Sequence, residues 1–236
     1  MELPANLSDF LQDEHFILNT NGLSDALVYE SKHYILKIQE RQENVVDIIS
    51  KLKDVLPLSE VIFYQDPYLL MSKVKGKASY EYLETIDSLL IQLSNILKTM
   101  WSIDTSHLEL VNQLEEKKKK AISHIQDNYY GFDTKKELID YINNYQDKLV
   151  LSHGDFCLPN IFIDQDQYYL IDLETMGLNS KWCDISLCLR SLKYNLEGYY
   201  GGRVYPDYDV YKLLEYLGIE FSDEQIRYHL ILDSLL

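Results

Sequence analysis

Over roughly the first 75 positions, apolar residues come in short runs that alternate with polar ones, as half-buried strands do. "HFILN" and "ALVYES" flank "TNGLSD", whose Gly22 and turn-forming neighbours predict a hairpin. "HYILKIQE" follows as a third strand, with Tyr34, Leu36 and Ile38 on one face and Ile35 and Lys37 on the other. One helix interrupts the pattern: Val45, Ile48, Ile49 and Leu52 in "ENVVDIISKLKDVLP" recur at helical spacing and stop at Pro57. "SEVIFYQ" and "PYLLMSKV" read as two more strands, and Gly76 then punctuates "KVKGKAS" as a hinge. Beyond it Ile86, Leu89, Leu90, Leu93, Ile96, Leu97 and Met100 follow the i, i+3, i+4, i+7 rule. Residues 108–148 read as helical with polar faces, and "EEKKKKAI" as a solvated face. Strands return over 149–173, and helices fill 183–198 and 208–236.

The expected class is α+β: a small β-rich N-terminal lobe, residues 1–74, and a larger, mostly helical C-terminal lobe, residues 75–236. The 236 residues suffice for two small lobes with an ample core. A formal net charge of −16 disfavours a nucleic-acid partner, which needs a basic surface, and suits a cationic one. No apolar run reaches the roughly 18 residues of a membrane span, and "MELPANLSDFLQDEHF" lacks a basic-then-apolar signal pattern. A cytoplasmic protein is expected. Cys157, Cys183 and Cys188 have neither metal-ligand spacing nor an even disulfide set, and read as buried thiols.

The chemistry concentrates in "LSHGDFCLPNIFID", residues 151–164, a polar loop between the apolar runs Leu149–Leu151 and Ile161–Ile163. His153-Gly154-Asp155, then Asn160, then Ile171-Asp172 reproduce the spacing of phosphoryl-transferring kinases: Asp, four residues, Asn, and a later acid at a strand end. Phosphoryl transfer asks for a hydroxyl held in line and for cations on the phosphate oxygens. In that reading Asp155 accepts the hydroxyl proton, and Asn160 and Asp172 offer the hard oxygens that magnesium takes. Singly, each residue has a blander reading as loop turn, strand cap or buried acid; the joint pattern carries the chemistry.

"SHGDFCLPNIFID", "LIDLETMGLNSKWCDISLCLRSL" and "LGIEFSDEQIRYHLILDSLL" resemble the aminoglycoside 3′-phosphotransferases, within the wider aminoglycoside and choline kinase-like group. "NGLSDALVYESKHYILKI", "LLMSKVKG" and "LKTMWSIDTSHL" extend the resemblance more thinly, and residues 108–148 fall outside it. The resemblance implies a bilobal protein-kinase-like fold, ATP or GTP as donor, Mg²⁺, and an aminoglycoside as the cationic acceptor. It implies Asp155 as catalytic base, Asn160 and Asp172 as metal ligands, and Lys37 on the donor's α- and β-phosphates. Gly22, Leu23 and Ser24 match the loop over the phosphates, and Met71 to Val74, with Ser72 and Val74, matches the hinge that pairs with the purine. Ile35 supplies an aliphatic shelf, and Asp47, in preference to Glu43, is the helix acid for Lys37. Asp233 and the carboxylate of Leu236 match the drug-binding ending, in an acidic tail that also carries Asp207, Asp209, Glu215, Glu220, Asp223 and Glu224. Asp184 matches a family aspartate and reads as a brace for the catalytic loop.

Three departures bear on substrate choice. Leu173-Glu174-Thr175 stands where the family has glycine and a basic residue, so Glu174 either adds charge near the metal and acceptor or faces solvent. Asp25 replaces a neutral residue, and Ser234 replaces an acid. Alternatives are a kinase of another small hydroxyl metabolite, a non-catalytic kinase-like binding protein, and a metal-dependent hydrolase. The last needs further histidine ligands, and the histidines at 15, 33, 107, 124 and 229 show no ligand spacing.

Overall fold

The computed structural model describes Pro4, Leu7, Leu11, residues 14–19 and residues 26–236. In chain order its strands are β1 (Ile17–Asn19), β2 (Leu27–Glu30), β3 (Tyr34–Ile38), β4 (Val61–Gln65), β5 (Tyr68–Ser72), β6 (Lys77–Ala78), β7 (Leu149–Ser152), β8 (Ile161–Asp164), β9 (Gln167–Leu170) and β10 (Gly177–Ser180). Its α-helices are α1 (Glu43–Leu52), α2 (Ile86–Trp101), α3 (Gln113–His124), α4 (Lys135–Asn144), α5 (Lys181–Leu196), α6 (Lys212–Leu217) and α7 (Asp223–Ser234). The chain divides into two compact units, residues 1–76 with 162–174, and residues 77–161 with 175–236. Each unit is therefore built from two stretches of chain, and β8 carries the backbone from one into the other.

The first unit is an antiparallel sheet in the order β1-β2-β3-β5-β4. Leu36 and Leu70 sit opposite each other in the β3–β5 register, and both are buried with Leu7 against Tyr34, Ile38 and Tyr68. A one-residue slip would turn that apolar set outward and Lys37 inward, so burial itself fixes which face Lys37 takes. Helix α1 buries Val45, Ile48, Ile49 and Leu52, the stripe its spacing predicts. β8 and β9 lie side by side, and Leu170 N–H donates to the Pro57 carbonyl at 3.1 Å. Gly76 (φ +84°) passes so close to β8 that a Cβ there would lie 2.1 Å from the Ile163 carbonyl oxygen.

The second unit is mostly helical. In α2, Leu89, Leu90, Leu93, Ile96, Leu97 and Met100 are buried, each side chain contributing about 1.5–3 kcal/mol of transfer free energy. Helix α5 is enclosed on nearly all sides, from Trp182 to Leu196. Leu114, Ala121, Leu138, Ile142, Tyr228, Ile231 and Leu232 bring α3, α4 and α7 into one core. β7 and β10 pair antiparallel with Ser152 opposite Gly177, which fixes where the loops after Ser152 and before Gly177 emerge.

Several elements differ from the sequence expectation. The expected helical stretch 108–148 is two helices, capped by the side chains of Asn112 and Thr134, with a non-helical passage between them. The C-terminal stretch breaks at Gly218, whose left-handed backbone (φ 71°) ends α6 before Ser222 caps α7. The 149–173 strand region stops at Leu170, and β10 adds a strand that "GLNS" does not advertise. The lysine run is not a wholly solvated face: Lys117 and Lys118 are buried, and with Leu114 and Ala121 they form the inner side of α3.

Candidate active site

In the second unit, the buried end of β7 delivers Ser152 and His153 into a tight loop. Gly154 has φ +80°, and a Cβ there would meet the Thr175 carbonyl oxygen at 2.2 Å and its hydroxyl at 2.8 Å, so only glycine fits. Phe156 and Leu158 are fully buried on either side of the half-buried Cys157, anchoring the loop and leaving Asp155 partly exposed. The 3₁₀ turn Leu158–Asn160 brings Asn160 back toward Asp155. Asn160 Nδ2 donates to the Asp155 carbonyl at 3.0 Å and to Oδ2 at 2.9 Å. The Cys157 thiol donates to the other carboxylate oxygen, Oδ1, at 2.9 Å. Both oxygens of Asp155 are thus held, and Asn160 Oδ1 remains as the amide atom for a hard cation.

Opposite charges grip the loop backbone from below. Asp184, fully buried on α5, accepts from Ser152 Oγ (2.8 Å) and Gly154 N–H (3.1 Å) through Oδ1, and from Trp101 Nε1 (2.9 Å) through Oδ2. Burial pushes its pKa up against the hydrogen bonds from Trp101 and Ser152. Asp184 therefore braces the loop backbone, the role read for it from the sequence. On the other side Lys117 Nζ donates to the Gly154 carbonyl at 2.6 Å and approaches Cys183 Sγ at 3.6 Å. Burial opposes its charge, but Cys183, Asp233 and Asp155 together hold its pKa above the ordinary value. Lys117 lies in the segment the sequence resemblance did not reach, and is the residue that sequence reasoning missed. Cys183 and Cys188 are buried free thiols and Cys157 is half-buried. Burial raises the pKa of all three, that of Cys183 to about 11.

Of the two acceptor residues expected at the ending, Asp233 is committed to Arg190, with Nη1 to Oδ2 at 2.5 Å. Leu236 lines an open hollow of about 310 Å³ with His124, Gln126, Asn128 and Tyr130. The ending is held there by His124 Nδ1 at 3.1 Å from the Leu235 carbonyl and by the Tyr130 hydroxyl at 3.3 Å from that of Ser234.

In the first unit, Lys37 stands on β3 opposite Leu69. Its ammonium hydrogen-bonds Glu174 and lies 3.7 Å from Asp172 Oδ1. Asp172 follows β9 in a left-handed conformation (φ 60°), which an aspartate adopts only at a cost and which functional sites often hold. Asp47, expected as the acid for Lys37, pairs instead with Lys51 one turn on, at 2.6 Å. The carboxylates beside Lys37 come from the chain after β9, and Glu174, expected on the acceptor side, is one of them. Ile35 shares the Lys37 face and is half-buried. Ser72 ends β5 with its N–H donating to Glu60 O at 2.9 Å and its hydroxyl accepting from Glu60 N–H at 2.8 Å; Val74 follows, half-buried. Gly22, Leu23, Ser24 and Asp25 lie outside the described residues. Among the described residues no cluster of three or more His, Cys, Asp or Glu side chains could hold a metal. Asn160 and Asp172 fit magnesium by donor type, since that ion keeps waters and substrate phosphates in its shell.

A sequence model of the family described as "Phosphotransferase enzyme family" matches residues 19–232. An aminoglycoside 3′-phosphotransferase of Niallia circulans is 28% identical over an alignment 264 positions long, covering 98% of this chain and 96% of that one. One of Campylobacter jejuni is 26% identical over 247, covering 92% and 94%. Among solved structures, an aminoglycoside-3′-phosphotransferase of type VIII superposes with a TM-score of 0.74 at 17% identity, covering 98% of this chain and 97% of that one. An aminoglycoside phosphotransferase of Streptomyces rimosus in complex with ADP and streptomycin gives 0.70 at 16%, covering 98% and 99%. These structural likenesses establish the bilobal, kinase-like α+β fold. No helix among the described residues is long and apolar enough to cross a membrane.

Proposed function

Since the chain belongs to the phosphotransferase enzyme family, we propose that it is a kinase moving the γ-phosphate of ATP or GTP to a hydroxyl of an aminoglycoside. The observation that carries this reading is the Asp155 carboxylate held at both oxygens, by Cys157 and Asn160, on a loop only glycine can form. A carboxylate fixed in that way can orient an acceptor hydroxyl and take its proton as the new oxygen–phosphorus bond forms and the nucleoside diphosphate leaves. Lys37, with its compact ammonium, is assigned to the donor phosphates, and Ile35, Ser72 and Val74 to the purine. The Gly22-Leu23-Ser24 segment is assigned to the loop over the phosphates, and residues 1–74 to the nucleotide lobe. Asn160 Oδ1 and Asp172 would hold Mg²⁺, which when bound neutralises phosphate charge. A cytoplasmic location follows from a nucleoside triphosphate donor.

The acceptor class is supported by the named relatives and by the net charge of −16, which draws polycations. Of the two residues expected at the ending, Leu236 is the acceptor contact we favour, because Asp233 is occupied by Arg190. Steady-state assays of kanamycin-type drugs with ATP and with GTP test the proposal: nucleoside diphosphate released in step with a phosphorylated drug supports it, and silence across a broad drug panel refutes the acceptor. The Arg190–Asp233 pair, with Ser234 where an acid is expected, favours one second reading, a kinase of another small hydroxyl compound. A thermal-shift screen of metabolites would reveal that acceptor.

A further inference from the structure

We propose that Lys117 is a positioning residue for the catalytic base: its buried ammonium fixes the peptide plane between Gly154 and Asp155. The inference rests on the kinase reading for its kinetic consequence, while its structural content rests on the hydrogen bonds to the loop backbone. Four observations carry it.

Lys117 is 7% exposed, an unusual place for a lysine, and it sits on the inner side of α3 with Leu114 and Ala121. Its ammonium donates to the Gly154 carbonyl oxygen at 2.6 Å. That carbonyl belongs to the same peptide unit as the Asp155 N–H, and the N–H in turn faces His153 Nδ1 at 3.3 Å. The peptide is thereby held at both ends, by a cation on its oxygen and by an imidazole on its hydrogen. Finally, the neighbouring Gly154 N–H donates to Asp184, so two opposite buried charges fix consecutive peptide planes of one loop.

The direction of the Asp155 side chain depends on the plane that precedes it. A backbone at φ +80°, as at Gly154, has no strong preference of its own to keep that plane in place, because glycine populates both signs of φ. Rotation of the Gly154–Asp155 peptide would swing the carboxylate away from Asn160 and Cys157. Hydrogen bonds to a charged partner contribute about 1.5–3 kcal/mol, against about 0.5–1.5 kcal/mol for an ordinary one. Lys118, the next residue, shows that burial alone does not assign this role: its ammonium goes to Glu115 (2.9 Å) and the Tyr145 carbonyl (2.7 Å), away from the loop.

The test compares Lys117→Met, which keeps length and volume without charge, with Lys117→Arg, which keeps a cationic donor. Two readouts are taken. The first is amide hydrogen exchange across residues 150–158. Faster exchange at Asp155 in K117M by about tenfold, restored in K117R, with α7 exchanging as in the wild type, is the expected result. The second is kinetic: kcat about 10- to 100-fold lower in K117M, with the KM for ATP within about twofold, and recovery in K117R. Equal loop exchange in K117M and wild type overturns the proposal, as does a folded K117M with kcat within twofold of wild type. If Met at 117 prevents folding, Lys117→Gln takes its place under the same criteria, since it keeps an N–H donor and removes the charge. A wild type silent with all acceptors would refute the kinase reading while leaving the exchange result to decide the role of Lys117.

Discussion

His229 gives a quantitative check on how the second unit is packed. It lies on α7 at 2% exposure, with Nε2 3.1 Å from the Tyr145 hydroxyl and its ring edge-on to Tyr145 and Tyr228. Burial first, and the charge of Lys117 second, push its pKa down from 6.5 to about 3. In the unfolded chain the imidazole titrates normally. Above pH 6.5 neither state carries the proton and His229 has no effect on stability. Below it the unfolded chain takes up a proton that the folded protein refuses, so stability falls with pH until about pH 3. Each unit costs about 1.4 kcal/mol, so at pH 4.5, two units below 6.5, the loss is roughly 3 kcal/mol. That is a large part of the roughly 5–15 kcal/mol that a domain has to lose. His229→Gln keeps a polar group near Tyr145 and removes the titration, so groups common to both proteins cancel in the comparison. Trp101 and Trp182, the two tryptophans of the chain, both belong to the second unit and report its unfolding by fluorescence. Between pH 7 and pH 4.5 the wild type should lose roughly 3 kcal/mol more than H229Q, or about 6–12 °C more in Tm. Equal losses would mean that the imidazole is charged in the folded protein, and the packing described around it would be wrong.

Gly154→Ala should lower the stability of the second unit by about 3 kcal/mol, from a left-handed backbone and a Cβ driven into the Thr175 carbonyl; a melting temperature within a degree of wild type would contradict that. Glu174→Gln releases Lys37 from its partner, so the KM for ATP should fall about two- to fivefold at low salt, and a rise would show that Glu174 positions Lys37 instead of competing for it. Asp47→Ala should leave the KM for ATP unchanged within about 1.5-fold, because Asp47 holds Lys51; a KM raised about tenfold would show that nucleotide binding recruits Asp47 to Lys37.

Much of the fold was legible because burial leaves a period. The stripe from Leu89 to Met100 and the alternation around Leu36 both appear where the sequence predicts them. The "HGD" loop was legible for a different reason: its residue types are chemically unusual between apolar runs. What was not legible depended on partners far along the chain. β10 forms because Ser152 offers it a register, and "GLNS" alone has no strand pattern. Asp47 looked like the partner of Lys37 because helix spacing cannot show that Lys51, one turn on, claims it first. Lys117 was hidden in a run of four lysines whose composition says solvent. A signal was present nonetheless: Leu114, Lys117, Lys118 and Ala121 keep the i, i+3, i+4, i+7 spacing, which puts two lysines on the inner face.

The most direct test of the central claim follows phosphorus from a nucleoside triphosphate into an aminoglycoside by ³¹P NMR, with wild type and Asp155→Ala side by side. A single phosphomonoester resonance growing in step with the diphosphate, and slowed about 10³-fold in D155A while the fold is kept, is the predicted result. Transfer at an undiminished rate in D155A would contradict the assignment of Asp155 as the base on which the account is built.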